Sequence, residues 1–135
     1  MNRDELQKLY MDYLVEEGYK ASSDDDGDIE FKYEGDLYIM FVDEKDTEYF
    51  RIQSGCGLDL DTEDDKYRAL QAASMVNAEY KLGKIFIRLE RGVAIVETGI
   101  FLVKPEDFKM FFKRCLGILQ GMLSDFFDKL KEDVE

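Results

Sequence analysis

The run Asp24-Asp25-Asp26-Gly27-Asp28 concentrates carboxylates in one short segment and invites comparison with a calcium-binding loop. Such a loop places its glycine sixth, its leading aspartate first and a bidentate glutamate twelfth. With Gly27 as the sixth position, the first is Ser22 and the twelfth is Tyr33, so two essential ligands are missing. The segment also precedes a predicted strand instead of a helix. We therefore interpret it as a solvated turn and expect neither a bound metal nor a cofactor.

Cys56 lies between Gly55 and Gly57, where small neighbours could expose a thiol. The sequence contains no histidine, so the usual base that activates such a nucleophile is absent. Lysine, carboxylate and tyrosine side chains can transfer protons, but none forms a compact group with a nucleophile. We interpret Cys56 as a turn residue between a strand and a helix. The sequence predicts no catalytic residues and a protein that is not an enzyme.

Charge and composition narrow the class of protein further. The chain has 31 acidic and 18 basic residues, a formal net charge of −13, which repels a phosphate backbone and argues against nucleic acid as a partner. No apolar run has the length of a signal peptide core or a membrane span. Its 135 residues predict one domain over residues 1–135. The chain has only two cysteines, which fits a reducing compartment. Its charge and cysteine content are therefore typical of an acidic protein in the cytoplasm.

The hydrophobic period alternates between about 3.6 and 2 residues along the chain, which separates helices from strands. Asn2 and Glu5 resemble a capping box at the start of the first helix, which ends at Gly18. Pro105 suits the first turn of the last helix. The predicted strands are 29–33, 37–42, 49–53, 84–90 and 93–103, and a middle helix runs from Asp61 or Thr62 to about Leu82.

This α-β-β-β-α-β-β-α order predicts an α+β fold with a mainly antiparallel five-stranded sheet. We expect the last helix to cross one face of the sheet and the other two helices to lie at its sides. Residues 37–42 are apolar at every position, so we expect this strand to be central, with both faces at least partly covered.

The order and several segments resemble the type III secretion chaperone-like fold, and in detail its YbjN family. The similar segments are Asp26-Gly27-Asp28 before a strand, the strand 37–42 followed by Asp43 and Glu44, the helical segment 72–79, and Phe126-Phe127 in the closing helix. The resemblance extends over nearly the whole chain and contains no catalytic signature. It implies a bacterial, non-enzymatic protein: either a small acidic chaperone that dimerises and binds unfolded segments of secreted proteins, or a regulator of signalling or stress responses.

The sequence thus predicts a protein-binding module that acts through protein–protein interaction. The alternative is a sensor that binds a small ligand in an apolar pocket between the sheet and the C-terminal helix. Aromatic residues and methionines are plentiful in both of these elements.

The middle helix carries a stripe of small and apolar residues, and other apolar residues lie elsewhere around its axis. Such a helix is usually buried on more than one side. We expect a homodimer whose interface contains Ala69, Ala73, Val76 and Tyr80. Packing against the first helix of the same chain is the competing explanation.

Neighbouring residues of a strand point to opposite faces of the sheet, so one of two apolar sets in residues 37–42 must face away from the main core. We expect the set containing Tyr38 and Met40 to face outward, together with Phe86 of a later strand. Aromatic and methionine side chains on an open face form an adaptable surface for peptide segments. The sequence predicts partner binding at Tyr38, Met40 and Phe86, and the competing explanation is that a helix covers them.

Overall fold

A computed structural model describes residues 1–132. They form three helices and six strands in the order α1, β1 to β4, α2, β5, β6, α3. The helices are α1 Arg3–Glu16, α2 Glu63–Glu79 and α3 Phe108–Glu132, and a short 3-10 turn, Pro105–Asp107, leads into α3. The strands are β1 Ala21–Ser23, β2 Ile29–Tyr33, β3 Asp36–Met40, β4 Tyr49–Gly57, β5 Lys84–Arg88 and β6 Val93–Phe101.

The strands form a single sheet in the order β1-β2-β3-β4-β6-β5, and every neighbouring pair is antiparallel. The α+β class and the antiparallel sheet are confirmed, but the sheet has six strands and not five. The additional strand, β1, pairs with β2 at one edge. Its sequence is Ala-Ser-Ser, which has no alternation of apolar and polar residues, so the hydrophobic pattern could not reveal it.

Side-chain caps define where two helices begin. Asn2 and Glu5 form the expected capping box of α1, and Thr62 forms the same arrangement with Asp65 at α2. Helix α2 ends at Glu79, earlier than expected. Tyr80 follows it with an extended backbone, and its hydroxyl donates a 2.6 Å hydrogen bond to Asp125 of α3. Gly83, with φ of +112°, then turns the chain into β5.

The helices bury one face of the sheet, which we call the inner face. Tyr10 of α1 packs edge-on against Phe50 of β4 and Phe108 of α3, with ring centroids 6.3 and 4.7 Å apart. Helix α2 packs on β5, and α3 packs on β4 and β6. Helix α1 contacts β1 and β2 at one end of the sheet and α2 contacts the edge strand β5 at the other, in agreement with the expectation that these two helices lie at its sides. Together these helices bury the inner side chains of β2 to β6 and form one aromatic-rich core.

Candidate functional site

The opposite face of the sheet, which we call the outer face, has no helix of residues 1–132 packed on it. Alternate residues of β3 to β6, and Phe41 directly after β3, point toward it. Apolar residues on this face are partly or largely exposed: Leu37, Ile39, Phe41, Phe86, Ile95 and Phe101. A solvated sheet face normally carries polar residues. Apolar residues grouped on an open face are typical of an interaction surface.

Glu97 of β6 is the central acidic residue of the outer face, and only 7% of it is exposed. Its Oε1 accepts hydrogen bonds from Arg51 Nε at 2.9 Å and Gln53 Nε2 at 3.0 Å, and Lys84 Nζ lies 3.2 Å from its Oε2. Burial alone would raise the pKa of Glu97, but the hydrogen bonds and charges of Arg51 and Lys84 outweigh burial and hold that pKa below its ordinary value. Glu97 therefore stays ionised at neutral pH and links β4, β6 and β5.

Cationic side chains lie over the aromatic rings of this face. The guanidinium of Arg51 is 3.9 Å from the ring centroid of Phe41. On β5, Arg88 and Lys84 flank Phe86, with the charged atoms 5.3 and 5.7 Å from its ring centroid. These distances lie within the range of cation–π attraction. The rings thus hold three cations in place on the outer face.

The same side chains line a shallow groove of about 530 Å³ on the outer face. Ile95 and Glu97 form part of its floor, and Arg88 and Arg91 lie on its β5 side. Gly55 of β4, directly opposite Ile95 in the ladder, has no side chain to fill the space beside it. The groove can therefore receive the side chains of an extended segment.

The expected orientation of Tyr38 and Met40 is wrong, because both side chains belong to the inner face and are fully buried. Tyr38 stacks on Phe31 of β2 with ring centroids 5.4 Å apart. The helices pack on the face that contains this pair, so the set with Ile39 points outward instead. Phe86 does lie on the outer face and is partly exposed. The structure therefore brings Phe86 together with Ile39 and Phe41, and not with Tyr38 or Met40.

The predicted dimer stripe on α2 also needs correction. Ala69, Ala73 and Val76 are buried within the chain, where α2 packs against β5 and α3. Tyr80 is partly buried, and burial together with its hydrogen bond to Asp125 raises its pKa to about 12. Ala69, Ala73 and Val76 are therefore not available to a second subunit. The large apolar residues of α2 that are exposed are instead Tyr67, Leu70 and Met75.

A second cavity, of about 410 Å³, lies between the end of α2, β6 and α3. Its walls include Tyr80, Leu82, Ile100, Phe111, Cys115 and Ile118, and Lys81 and Arg114 also line it. This is the place, between the sheet and the C-terminal helix, where the sequence suggests a ligand pocket. Most of its lining is apolar, which suits the apolar part of a small molecule.

The acidic turn before β2 is held together by its own hydrogen bonds. Carboxylate oxygens of Asp24, Asp26 and Asp28 lie within 4.8 Å of one another. Asp24 Oδ1 accepts from the backbone N–H groups of Asp26 and Asp28, each at 2.9 Å, and Asp28 Oδ1 accepts from Val42 N–H at 2.7 Å. Arg3 donates to the Asp26 carbonyl. Two of the three carboxylates thus have structural partners, and the absence of metal binding stays a prediction.

Both cysteines are free thiols. Cys56 is partly buried near Ala94 at the end of β4, and Cys115 is buried in α3. Burial raises the pKa of each thiol, which lowers the fraction of reactive thiolate. Neither thiol has the properties of an activated nucleophile.

The basic residues of the outer face are the part of the site that charge analysis of the sequence missed. The net charge of −13 gives no sign of them, yet Lys84, Phe86 and Arg88 recur every second residue in β5. That spacing places them on one face of a strand. The pairing of β5 beside β6, which brings Arg51 and Glu97 to the same place, is a property of the fold and cannot be read from local sequence.

No helix within residues 1–132 combines the length and the apolar character needed to cross a membrane. No protein-family model and no curated protein sequence matches the chain.

Solved structures, in contrast, share its architecture. The crystal structure of YbjN from E. coli, a proposed transcription regulator, has a TM-score of 0.67 at 11% identity and covers 86% of each chain. An uncharacterized protein from Methanothermobacter thermautotrophicus has a TM-score of 0.61 at 8% identity, over 93% of this chain and 99% of that one. A chain of the HopA1–SchA chaperone–effector complex has a TM-score of 0.54 at 13% identity, over 87% and 93%. The resemblance inferred from the sequence is thereby confirmed at the level of the fold, which is the one shared by YbjN and a type III secretion chaperone complex.

Proposed function

We propose that the protein is a non-enzymatic binding module that takes a segment of a partner protein on the outer face of its sheet. Its role is that of a chaperone or a regulator, and it works through protein–protein interaction. The reducing cytoplasm is the proposed setting, which two free cysteines fit.

The observation that carries this proposal is the distribution of apolar residues between the two faces of the sheet. The inner face is buried by the helices and forms the core. The outer face nevertheless presents Phe41, Phe86 and Ile95 in an open groove, and Ile39 lies on the same face beside Gln53. Exposing these side chains to water is unfavourable unless a partner covers them part of the time. A chaperone–effector complex among the solved structures of this fold supports a protein partner.

The test is a capture experiment with a matched control. Wild-type protein, the outer-face variant Ile39→Ser/Phe86→Ser and the control Val15→Ser/Met110→Ser are used as baits in lysate of the source cells. Val15 and Met110 are exposed apolar residues of α1 and α3, so the control removes similar groups from the helical layer. A specific partner should be recovered by the wild type and the control and lost with the outer-face variant.

A photo-crosslinking residue placed at position 86 or 110 then identifies the surface in contact. Crosslinks to the partner from position 86 and none from position 110 are expected. Equal capture by all three baits, or crosslinks from position 110 alone, would contradict the proposal. Thermal unfolding of each bait shows whether the variants remain folded.

The cavity between α2, β6 and α3 supports a second candidate function, the binding of a small molecule. A ligand retained through purification would appear in native mass spectrometry as a discrete mass added to the chain. Ile118→Trp should fill the cavity and remove that mass, while Ile39→Ser should leave it in place. If the purified protein carries no added mass, and if Ile118→Trp changes nothing in screens of small apolar acids, this second function is wrong.

The homodimer is also part of the proposal, but with a different interface from the one predicted. Three apolar residues on the exposed side of α2 are accessible to solvent: Tyr67 is 61% exposed, and Leu70 and Met75 are each 45% exposed. A two-fold contact between two such surfaces would bury all three side chains on both subunits.

A further inference from the structure

The groove on the outer face is locally basic, although the chain as a whole is strongly acidic. Four basic residues line it, Arg51, Lys84, Arg88 and Arg91, with only two acidic residues, Glu90 and Glu97. In the whole chain acidic residues outnumber basic ones by 31 to 18. The balance of basic and acidic residues in the groove is therefore the reverse of that in the whole chain.

The internal ion pairs of the groove involve only two of its four basic residues. Glu97 is already bonded to Arg51, Gln53 and Lys84. Arg88 and Arg91 are exposed, and no ion pair among residues 1–132 includes either of them. Two guanidinium groups thus remain free to bind an anionic group, and a guanidinium can bind a carboxylate through two parallel hydrogen bonds.

The spacing of these groups along β5 matches an extended chain. Lys84, Phe86 and Arg88 follow one another every second residue on the outer face, so they are about 6.6 Å apart. An extended peptide has the same repeat on each of its sides. A segment with an acidic residue two positions from an apolar residue would place its carboxylate against Arg88 and its apolar side chain against Phe86.

From this arrangement we infer that the partner segment bound on the outer face is acidic and extended, with acidic and apolar residues at alternate positions on its bound side. This inference rests on the proposed function, because it names the chemistry of the segment that the same face binds. The net charge of the chain opposes an acidic segment at a distance, but salt screens exposed charges beyond about 8 Å at physiological ionic strength. The charges in direct contact within the groove therefore decide the affinity.

The experiment measures fluorescence anisotropy of short labelled peptides with the full-length protein. The acidic probe is Glu-Ser-Leu-Ser-Glu-Ser-Leu-Ser-Glu, and the neutral and basic probes carry Gln or Lys in place of each Glu. We expect the wild type to bind the acidic probe saturably and to bind it more weakly at high salt. Arg88→Glu/Arg91→Glu should lower the affinity for this probe about tenfold or more. The basic probe should bind this charge-reversed variant better than it binds the wild type.

The control is Lys109→Glu/Lys131→Glu, which makes the same change of charge on exposed residues of α3, on the other side of the sheet. It should bind the acidic probe as the wild type does. Equal binding of the acidic and neutral probes, equal binding by the charge-reversed variant, or no binding of the acidic probe at about 1 mM would overturn the inference.

The result also separates this inference from the proposed function. If Ile39→Ser/Phe86→Ser abolishes partner capture while Arg88→Glu/Arg91→Glu does not affect it, the outer face binds a partner that is not acidic. In that case the function stands and the inference is wrong. If neither variant affects capture, the proposed function itself is contradicted.

Discussion

The side-chain amide of Asn77 forms two hydrogen bonds with the backbone of Ile85. Asn77 Nδ2 donates to the Ile85 carbonyl at 2.9 Å, and Ile85 N–H donates to Asn77 Oδ1 at 2.8 Å. Strand β5 is an edge strand, so these backbone groups have no neighbouring strand on that side. The amide of Asn77 takes the place of a further strand at this position. It thereby covers part of an edge that would otherwise be open to pairing.

Replacing Asn77 with Leu should therefore lower the free energy of unfolding by about 1–3 kcal/mol, because the backbone groups of Ile85 lose both partners. Exchange of the Ile85 amide hydrogen should become faster. Urea unfolding and hydrogen exchange measure the two effects. Gln71→Leu, at an exposed position of the same helix, is the control and should change stability by less than about 0.5 kcal/mol. Unchanged exchange at Ile85 in Asn77→Leu would contradict the role given to this amide.

Tyr38 and Met40 should behave as core residues. Tyr38→Ala and Met40→Ala each remove a fully buried side chain, so each should lower the free energy of unfolding by about 2–5 kcal/mol. Tyr38→Phe should change it by less than about 1 kcal/mol, because the Tyr38 hydroxyl has no hydrogen-bond partner among residues 1–132. Phe86→Ala, on the outer face, should lower the free energy of unfolding by less than Tyr38→Ala or Met40→Ala does. Near-wild-type stability of Tyr38→Ala would restore the outward orientation expected from the sequence.

The sequence predicted the order of elements well, because each element has a local signal. Alternation in residues 29–33 and 84–88, and the caps at Asn2 and Thr62, depend only on nearby residues. Helix placement depends on which face of the sheet is buried, and residues 37–42 are apolar on both sides. Their pattern therefore could not determine whether Tyr38 or Ile39 faces the helices.

The candidate site was predictable only in part, for a similar reason. Phe86 could be assigned to the open face from alternation in β5. Arg51 and Glu97 meet on that face through the pairing of β4 with β6, between residues 46 positions apart in sequence. The net charge of the chain averages over all surfaces and hides a basic groove that contains few residues. Local sequence patterns thus identify single residues such as Phe86. The grouping of Arg51 with Glu97 can be predicted only when the register of the sheet is known.

Calcium should not bind to the acidic turn at Asp24, Asp26 and Asp28. Two of these carboxylates already accept backbone hydrogen bonds within the turn or from Val42, and the loop lacks the ligands of its first and twelfth positions. Calorimetric titration with calcium should show no saturable heat. Saturable binding that disappears in Asp24→Ala/Asp26→Ala would refute this prediction, whereas heat that is the same in that variant reflects screening of surface charge.

The exposed side of α2 should mediate self-association. Leu70→Glu places a charge among Tyr67 and Met75 without touching the buried stripe, so it should give a folded monomer. Light scattering across a range of protein concentrations measures the mass of the wild type and the variant. Val15→Glu introduces the same charge on α1 and should leave the association unchanged. A wild-type protein that is monomeric at high micromolar concentration would exclude the dimer.

The ion pairs of Glu97 should make stability depend on pH in the acid range. Because the folded state lowers the pKa of Glu97, its contribution is present above the pKa of the unfolded state and is lost as the pH falls through the lower folded pKa. Glu97→Gln removes the charge that Arg51 and Lys84 share, and these partners remain partly solvated. It should therefore lower the free energy of unfolding by about 1 kcal/mol at neutral pH.

The difference between wild type and Glu97→Gln should then shrink as the pH falls through the acid range, because both chains carry an uncharged group there. Urea unfolding at a series of pH values measures it. Glu90→Gln is the matched control, since Glu90 is exposed beside the same groove and forms no ion pair among residues 1–132. Glu90→Gln should change the free energy of unfolding only slightly at every pH. A Glu97→Gln penalty that stays constant across the acid range would show that packing, and not the charge of Glu97, stabilises this part of the outer face.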